Sequence, residues 1–278
     1  MKPIRMAYIL ATALALSSRS ASGATCPDLA KLSLPGTTIT TADVIAAGAF
    51  KPPTGPAIGQ AAYARLPEFC RIAATLRPTS DSDIRIEVWL PASNWNGKFQ
   101  AVGNGNWAGA ISYGALATAV AAGYASASTD GGHQGNTAAF VVGHPEKVID
   151  MGYRAVHEMT VKAKALINAL YGAPPKLSLW NGCSTGGRQG VAAALRHPED
   201  FDAIAAGAPA VNWINLHAGR MAANRAVSKA GGIPQPKFRL LRNAAIEACD
   251  SRDGVSDGVI ENPLACQFDP QVLQCKAG

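Results

Sequence analysis

An α/β fold with a mainly parallel sheet is what this 278-residue sequence predicts. Three observations lead there. From Ile84 onward, short apolar runs of strand length alternate with longer runs at helical spacing. Several strand-like runs end in loops of glycine and polar residues, the edge at which open α/β sheets place their sites. One strand-to-helix turn, Gly182-Cys183-Ser184-Thr185-Gly186, fits the G-x-S-x-G elbow, which holds a serine on a sharp bend.

The elements follow in order. Lys2 and Arg5 precede an apolar stretch from Met6 to Leu16, and Ser22-Gly23-Ala24 supplies small residues for cleavage after Ala24. Residues 1–24 therefore read as a secretory signal peptide, its apolar run too short for a comfortable membrane span. Residues 25 to about 80 read as irregular, broken by Pro52-Pro53 and Gly55-Pro56. Ile84 to Leu90 alternates apolar and charged residues, as a half-exposed strand does. Lys98 to Val102 is a second strand, ending in Gly103-Asn104-Gly105-Asn106. Leu116 to Ala122 reads as a helix. Tyr124 to Ser128 is a third strand, ending in Thr129-Asp130-Gly131-Gly132-His133. A long helix spans Tyr153 to Leu170. Leu177 to Trp180 is a fourth strand that enters the elbow, and Val191 to Leu195 belongs to the helix leaving it. Ala203 to Ala206 is a fifth strand, ending in Gly207-Ala208-Pro209.

With the elbow in place, residues 25–210 read as an α/β-hydrolase core that lacks its last strands. Residues 211–250 look helical, with a break between Gly231 and Pro236, and 249–278 is rich in turns and cysteine. Residues 211–278 are thus expected to begin a lid domain. The chain as a whole reads as the N-terminal part of a longer enzyme.

Composition narrows the function classes. Charged residues make up 16% and hydrophobic ones 48%, which is globular rather than disordered. Removing residues 1–24 takes away Lys2, Arg5 and Arg19 and lowers the net charge from +6 to +3. No dense Lys/Arg patch interleaved with aromatics occurs, so nucleic acid is not an expected partner. No membrane association is expected after signal cleavage, and the destination is secreted or periplasmic. Export makes disulfides possible among Cys26, Cys70, Cys183, Cys249, Cys266 and Cys275. Six cysteines pair in 15 ways, so spacing leaves the connectivity open. The lack of C-x-x-C argues against a zinc ribbon or a thioredoxin-like site.

Ser184 is the candidate nucleophile. The backbone N–H groups of Thr185 and Gly105 are the candidate oxyanion donors, the first following the nucleophile and the second in the loop after an early strand. A serine hydroxyl needs a general base, and only His197 and His217 follow it in the chain. His197 falls at the far end of the helix behind the elbow and reads as a helix C-terminal cation. His217 has no acidic partner in a strand-end loop before it. The catalytic aspartate and histidine are expected in strands that this sequence does not contain. A second signal lies in Cys249 to Glu261, where Asp250, Asp253 and Asp257 stand close together with two Asp-Gly turns. That pattern concentrates hard oxygen ligands of the kind Ca²⁺ takes, although it is not an EF-hand.

These residues resemble the tannase/feruloyl esterase family of secreted serine esterases. The resemblance rests on Gly182 to Gln189, on Pro198-Glu199-Asp200-Phe201-Asp202, on Thr129 to His133, and on Cys249-Asp250 through Asp257-Gly258. It implies that Ser184 is the nucleophile of a carboxylic ester hydrolase acting on phenolic or aromatic-acid esters, a class of small molecules. It implies disulfides Cys26–Cys70 and Cys249–Cys266, and a bond from Cys183 to a cysteine beside the catalytic histidine. It also implies a structural Ca²⁺ held by Asp250, Asp253 and Asp257 side chains and by the carbonyls of Val255 and Val259. A second reading, motivated by the missing triad partners, is a non-catalytic, calcium-stabilised exported domain or an inactive truncated fragment.

Overall fold

A computed structural model describes residues 23–53, 60–107 and 109–275. The signal peptide expected at 1–24 falls almost wholly on residues 1–22, outside the described residues. The chain divides into two compact units, one up to Val211 and one from Asn212.

The first unit is built on a seven-stranded sheet. In chain order its strands are β1 (Thr37–Ile45), β2 (Phe69–Leu76), β3 (Ile84–Pro91), β4 (Lys98–Val102), β5 (Ala125–Thr129), β6 (Leu177–Cys183) and β7 (Ala203–Gly207). Their spatial order is β1-β2-β3-β5-β4-β6-β7. The sheet is mixed rather than mainly parallel: β1 to β3 and the β3–β5 pair run antiparallel, whereas β5, β4, β6 and β7 run parallel.

Two strands stand where irregular chain was expected. In β1, Thr37-Thr38-Ile39-Thr40-Thr41 is β-branched throughout, and such residues suit a pleated edge strand even when few are apolar. Strand β2 buries Cys70, Ile72, Ala74 and Leu76 on one face and Phe69 on the other. The disulfide between Cys26 and Cys70 fastens the segment before β1 to β2. Strand β3 is also not half-exposed. Glu87, which suggested a solvent face, is buried and paired with Arg71 on β2, with Trp89 Nε1 (2.8 Å) and Tyr113 Oη (3.0 Å) also donating to it. A charge enters the interior when its lone pairs are filled in this way.

Helices cover both faces. They are α1 (Gln60–Tyr63), α2 (Tyr113–Ala121), α3 (Pro145–Ile149), α4 (Ala155–Tyr171) and α5 (Thr185–Arg196). The period-2 alternation of β3 sends Val88 and Leu90 into a core with Met159, Ala163 and Leu166 of α4 and Ala193 of α5. Trp89 points the other way and packs with Phe50, Phe69, Leu116 and Val120, the last two on α2. A π-helical turn, Asp150–Arg154, leads into α4, which ends on left-handed Gly172.

The second unit holds α6 (Trp213–Lys229) and α7 (Gln235–Cys249), with the break between them at Gly231 and Gly232, both at positive φ. A disulfide joins Cys249 to Cys266. Among the described residues no helix is long and apolar enough to cross a membrane.

Candidate active site

Ser184 sits where β6 ends and α5 begins, with φ 59° and ψ −115°. A non-glycine residue in that region is strained, and such strain persists only where its surroundings over-determine it. They do so here. Ser184 N–H donates to Gly207 O (3.0 Å), and Ser184 O accepts from Arg188 N–H (3.0 Å) and Ala210 N–H (3.2 Å). Trp180 Nε1 donates across the bend to Gly186 O at 2.9 Å. The bend is tight enough that a Cβ on Gly182 would come within 2.6 Å of the Gly186 carbonyl group. Ser184 itself is exposed, and Thr185 after it is buried.

The loop after β4 is fastened to this elbow. Gly186 N–H donates to Asn104 O (2.9 Å), and Thr185 Oγ1 donates to Asn106 O (2.6 Å). Gly105 lies between those two anchors, exposed, with open space where a Cβ would be. Among the described residues, no backbone carbonyl accepts the N–H of Thr185 or Gly105 outside regular helix and strand pairing. The structure thus brings the two candidate oxyanion donors into neighbouring backbone segments beside Ser184.

One side-chain pair in this arrangement escaped the sequence reading. Asn104 and Gln189 are both buried and exchange two hydrogen bonds: Asn104 N–H donates to Gln189 Oε1 (3.0 Å) and Gln189 Nε2 to Asn104 Oδ1 (2.8 Å). Asn104 Nδ2 adds bonds to the carbonyls of Thr129 (2.8 Å) and Ala110 (2.9 Å). The only hint in the sequence is that both residues lie in glycine-rich stretches, Asn104 in a loop and Gln189 in the first turns of α5. Arg188 was likewise given no role. Its guanidinium donates to the Met151 and Gly152 carbonyls, both at 2.9 Å, and burial pulls its pKa down to about 10.

Asp130, in the loop after β5, is a buried structural carboxylate. Its Oδ1 accepts from Arg85 N–H (3.0 Å) and Gly132 N–H (2.9 Å), and burial pushes its pKa up to about 7. His133 in the same loop is buried against Phe140, with Nε2 2.7 Å from Trp107 O.

No histidine of the first unit hydrogen-bonds Ser184 among the described residues. His144 contacts Asp81 (2.6 Å), and His157 contacts Asp200 (2.9 Å). His197 caps the C-terminus of α5. Twelve residues of helix at about 1.5 Å each separate it from Ser184 by about 18 Å. His217 lies in the second unit, its ring 5.2 Å from that of Trp213.

Both cysteine pairs that the family resemblance implies are disulfide-bonded, whereas Cys183 and Cys275 are free and exposed. In the Asp250–Glu261 loop each aspartate folds the chain on itself. Asp250 Oδ1 accepts from Gly258 N–H (2.9 Å), Asp253 Oδ1 from Val255 N–H (2.8 Å), and Asp257 Oδ1 from Val259 N–H (3.0 Å). Carboxylate and carbonyl oxygens are the donors a hard cation takes, so the set fits Ca²⁺ in its chemistry. The three carboxylates are not drawn within 4.8 Å of one another, so a bound ion has to gather them.

Known proteins carry the same framework. The family model described as tannase and feruloyl esterase matches residues 70–278. An uncharacterised esterase of Xanthomonas campestris pv. campestris is 40% identical over 265 residues, covering 94% of this chain and 45% of that protein. A protein named probable feruloyl esterase B-2 of Aspergillus flavus is 37% identical over 212 residues, covering 75% of this chain and 40% of its own length. The crystal structure of feruloyl esterase B from Aspergillus oryzae superposes with a TM-score of 0.80 at 33% identity, covering 91% of this chain and 50% of that one. The chain therefore spans about half the length of the relatives it matches or somewhat less.

Proposed function

Because this chain belongs to the tannase and feruloyl esterase family of ester hydrolases, we propose that it is the nucleophile-bearing part of an exported serine carboxylesterase cleaving phenolic or aromatic-acid esters. The observation that carries the reading is the backbone of Ser184, a non-glycine residue held at φ 59° between a strand and a helix. Strain of that kind at an exposed serine is what a presented nucleophile requires.

In the proposed reaction, Ser184 Oγ attacks the ester carbonyl and loses its proton to a histidine base. The tetrahedral oxyanion is held by the N–H groups of Thr185 and Gly105. Collapse expels the alcohol, which takes that proton, and leaves an acyl-enzyme on Ser184. Water then attacks the acyl carbon, releasing the acid and restoring the serine. The base and its carboxylate come from outside the first unit, whose histidines have other partners. A structural Ca²⁺ in the second unit would be held by Asp250, Asp253 and Asp257 with the carbonyls of Val255 and Val259. Export agrees with the two disulfides, which persist in oxidising compartments.

A second reading, a calcium-stabilised domain without catalysis, is favoured by one observation: among the described residues of the first unit, Ser184 has no histidine on it. Hydrolysis of methyl ferulate and fluorophosphonate labelling, each with Ser184→Ala as control, separate the two. Turnover or labelling lost in the variant supports the esterase. A full-length protein that folds, with its base present, and still never labels supports the non-catalytic domain.

A further inference from the structure

A cluster of imidazole and carboxylate groups lies at the far end of α5, in the first unit and remote from Ser184. His157 projects from α4, and His197 and Glu199 stand on the turn that joins α5 to β7. One ligand atom from each of the three lies within 4.8 Å of the other two. The two rings stack with centroids 3.8 Å apart, and His197 Nδ1 is 3.6 Å from Glu199 Oε1.

A second observation points to a ligand. His157 Nδ1 lies 2.9 Å from Oδ2 of Asp200, a carboxylate buried to 3% exposure. An N–H at Nδ1 donating to that carboxylate leaves Nε2 as a lone-pair donor. Metal-binding histidines are oriented in this way by an acceptor on the other nitrogen. Asp200 is held from behind, because Lys164 Nζ donates to its carbonyl (2.6 Å). The guanidinium of Arg196, the nearby cation on α5, is drawn aside over the Tyr153 ring at 4.2 Å.

We propose that His157, His197 and Glu199 form a surface site for an imidazole-preferring divalent transition metal, Zn²⁺ being the physiological candidate, with Asp200 orienting His157. Two nitrogens and one carboxylate oxygen suit Zn²⁺ and leave a fourth position for water. Binding would require the rings to turn out of their stacked arrangement, 16° between planes, until both in-plane lone pairs meet one ion. About 18 Å of helix separates the site from Ser184, so its role is structural: the ion would staple α4 to the α5–β7 turn. The ligand chemistry differs from that of the oxygen-only loop at Asp250 to Val259, so Ca²⁺ does not compete.

The test is Co²⁺ titration of the full chain, untagged, with Cys183 and Cys275 alkylated, followed by its visible absorption and by Zn²⁺ displacement. One equivalent is expected to bind and to be displaced by Zn²⁺ but not by Ca²⁺. His197→Gln, at a partly exposed turn, is expected to weaken binding at least tenfold, and Glu199→Gln several-fold. His144→Gln is expected to leave it unchanged. Circular dichroism confirms that each variant folds. No saturable binding below millimolar Co²⁺, or equal binding by His197→Gln and the parent, would overturn the proposal.

Discussion

A Cβ added to Gly103 would stand 2.5 Å from the α-carbon of Gly186, so the strand-end loop and the nucleophile helix meet backbone to backbone. This contact sets the spacing between the Ser184 turn and the loop that carries Gly105.

Gly103→Ala is therefore expected to destabilise the first unit by about 1–3 kcal/mol, the usual cost of overpacking. Gly105→Ala, whose Cβ meets open space, is expected to change stability by less than about 0.5 kcal/mol. Urea unfolding of the two variants beside the parent checks the contrast. Equal effects would mean that the loop is free to move away from the helix.

The buried carboxyl of Asp130 predicts a pH dependence. Its ordinary value is 3.8, and burial raises it to about 7 in the fold. Below pH 4 the carboxyl is protonated in both states and costs nothing. Between pH 4 and 7 only the unfolded chain ionises, so stability falls. Above 7 the loss is constant, on the order of 4 kcal/mol at about 1.4 kcal/mol per pKa unit. Asp130→Asn is expected to flatten this fall in urea melts at pH 5 and pH 8. Burial raises Asp200 too, and the slope from that group would remain. An unchanged slope in the Asn variant would remove Asp130 as its source.

The two disulfides close loops of different length, with sequence separations of 44 and 17. Loop-closure entropy assigns about 4 kcal/mol to the first and about 3 kcal/mol to the second. Replacing Cys26 and Cys70 together by alanine is expected to lower the melting temperature of the first unit. The Cys249→Ala/Cys266→Ala pair is expected to affect the second unit. Thermal melts of both variants without reductant test this. A parent-like melt in either case would show that its bridge adds little.

Calcium is expected to raise the melting temperature of the second unit, and Asp253→Asn is expected to abolish that rise. An ion at a hundred times its Kd adds about 2.7 kcal/mol. Titration with Ca²⁺ followed by EGTA, read by calorimetry, gives the answer. Identical melts in both buffers would assign the aspartates to turn formation alone.

The α/β class, the elbow and five strands were legible because each has a local signature. Leu177 to Trp180 is apolar, and Gly182-x-Ser184-x-Gly186 marks the turn that follows. Strands β1 and β2 were not legible. In β1 four of the nine residues are threonines, whose β-branching counts more than their weak apolar signal. Glu87 misled for a related reason: its neutralising partner Arg71 is 16 residues away and comes alongside only when β2 pairs with β3. The Asn104–Gln189 pair spans 85 residues, a separation at which no local pattern operates. The contact of His157 with Asp200 was hidden in the same way, since α4 meets the α5–β7 turn only in three dimensions.

The two hydrogen bonds between Asn104 and Gln189 have an evolutionary consequence. They fix the Ser184 turn and the Gly105 loop to each other through buried groups. Solvent-facing positions beside the turn can then vary without moving Ser184 against Gly105.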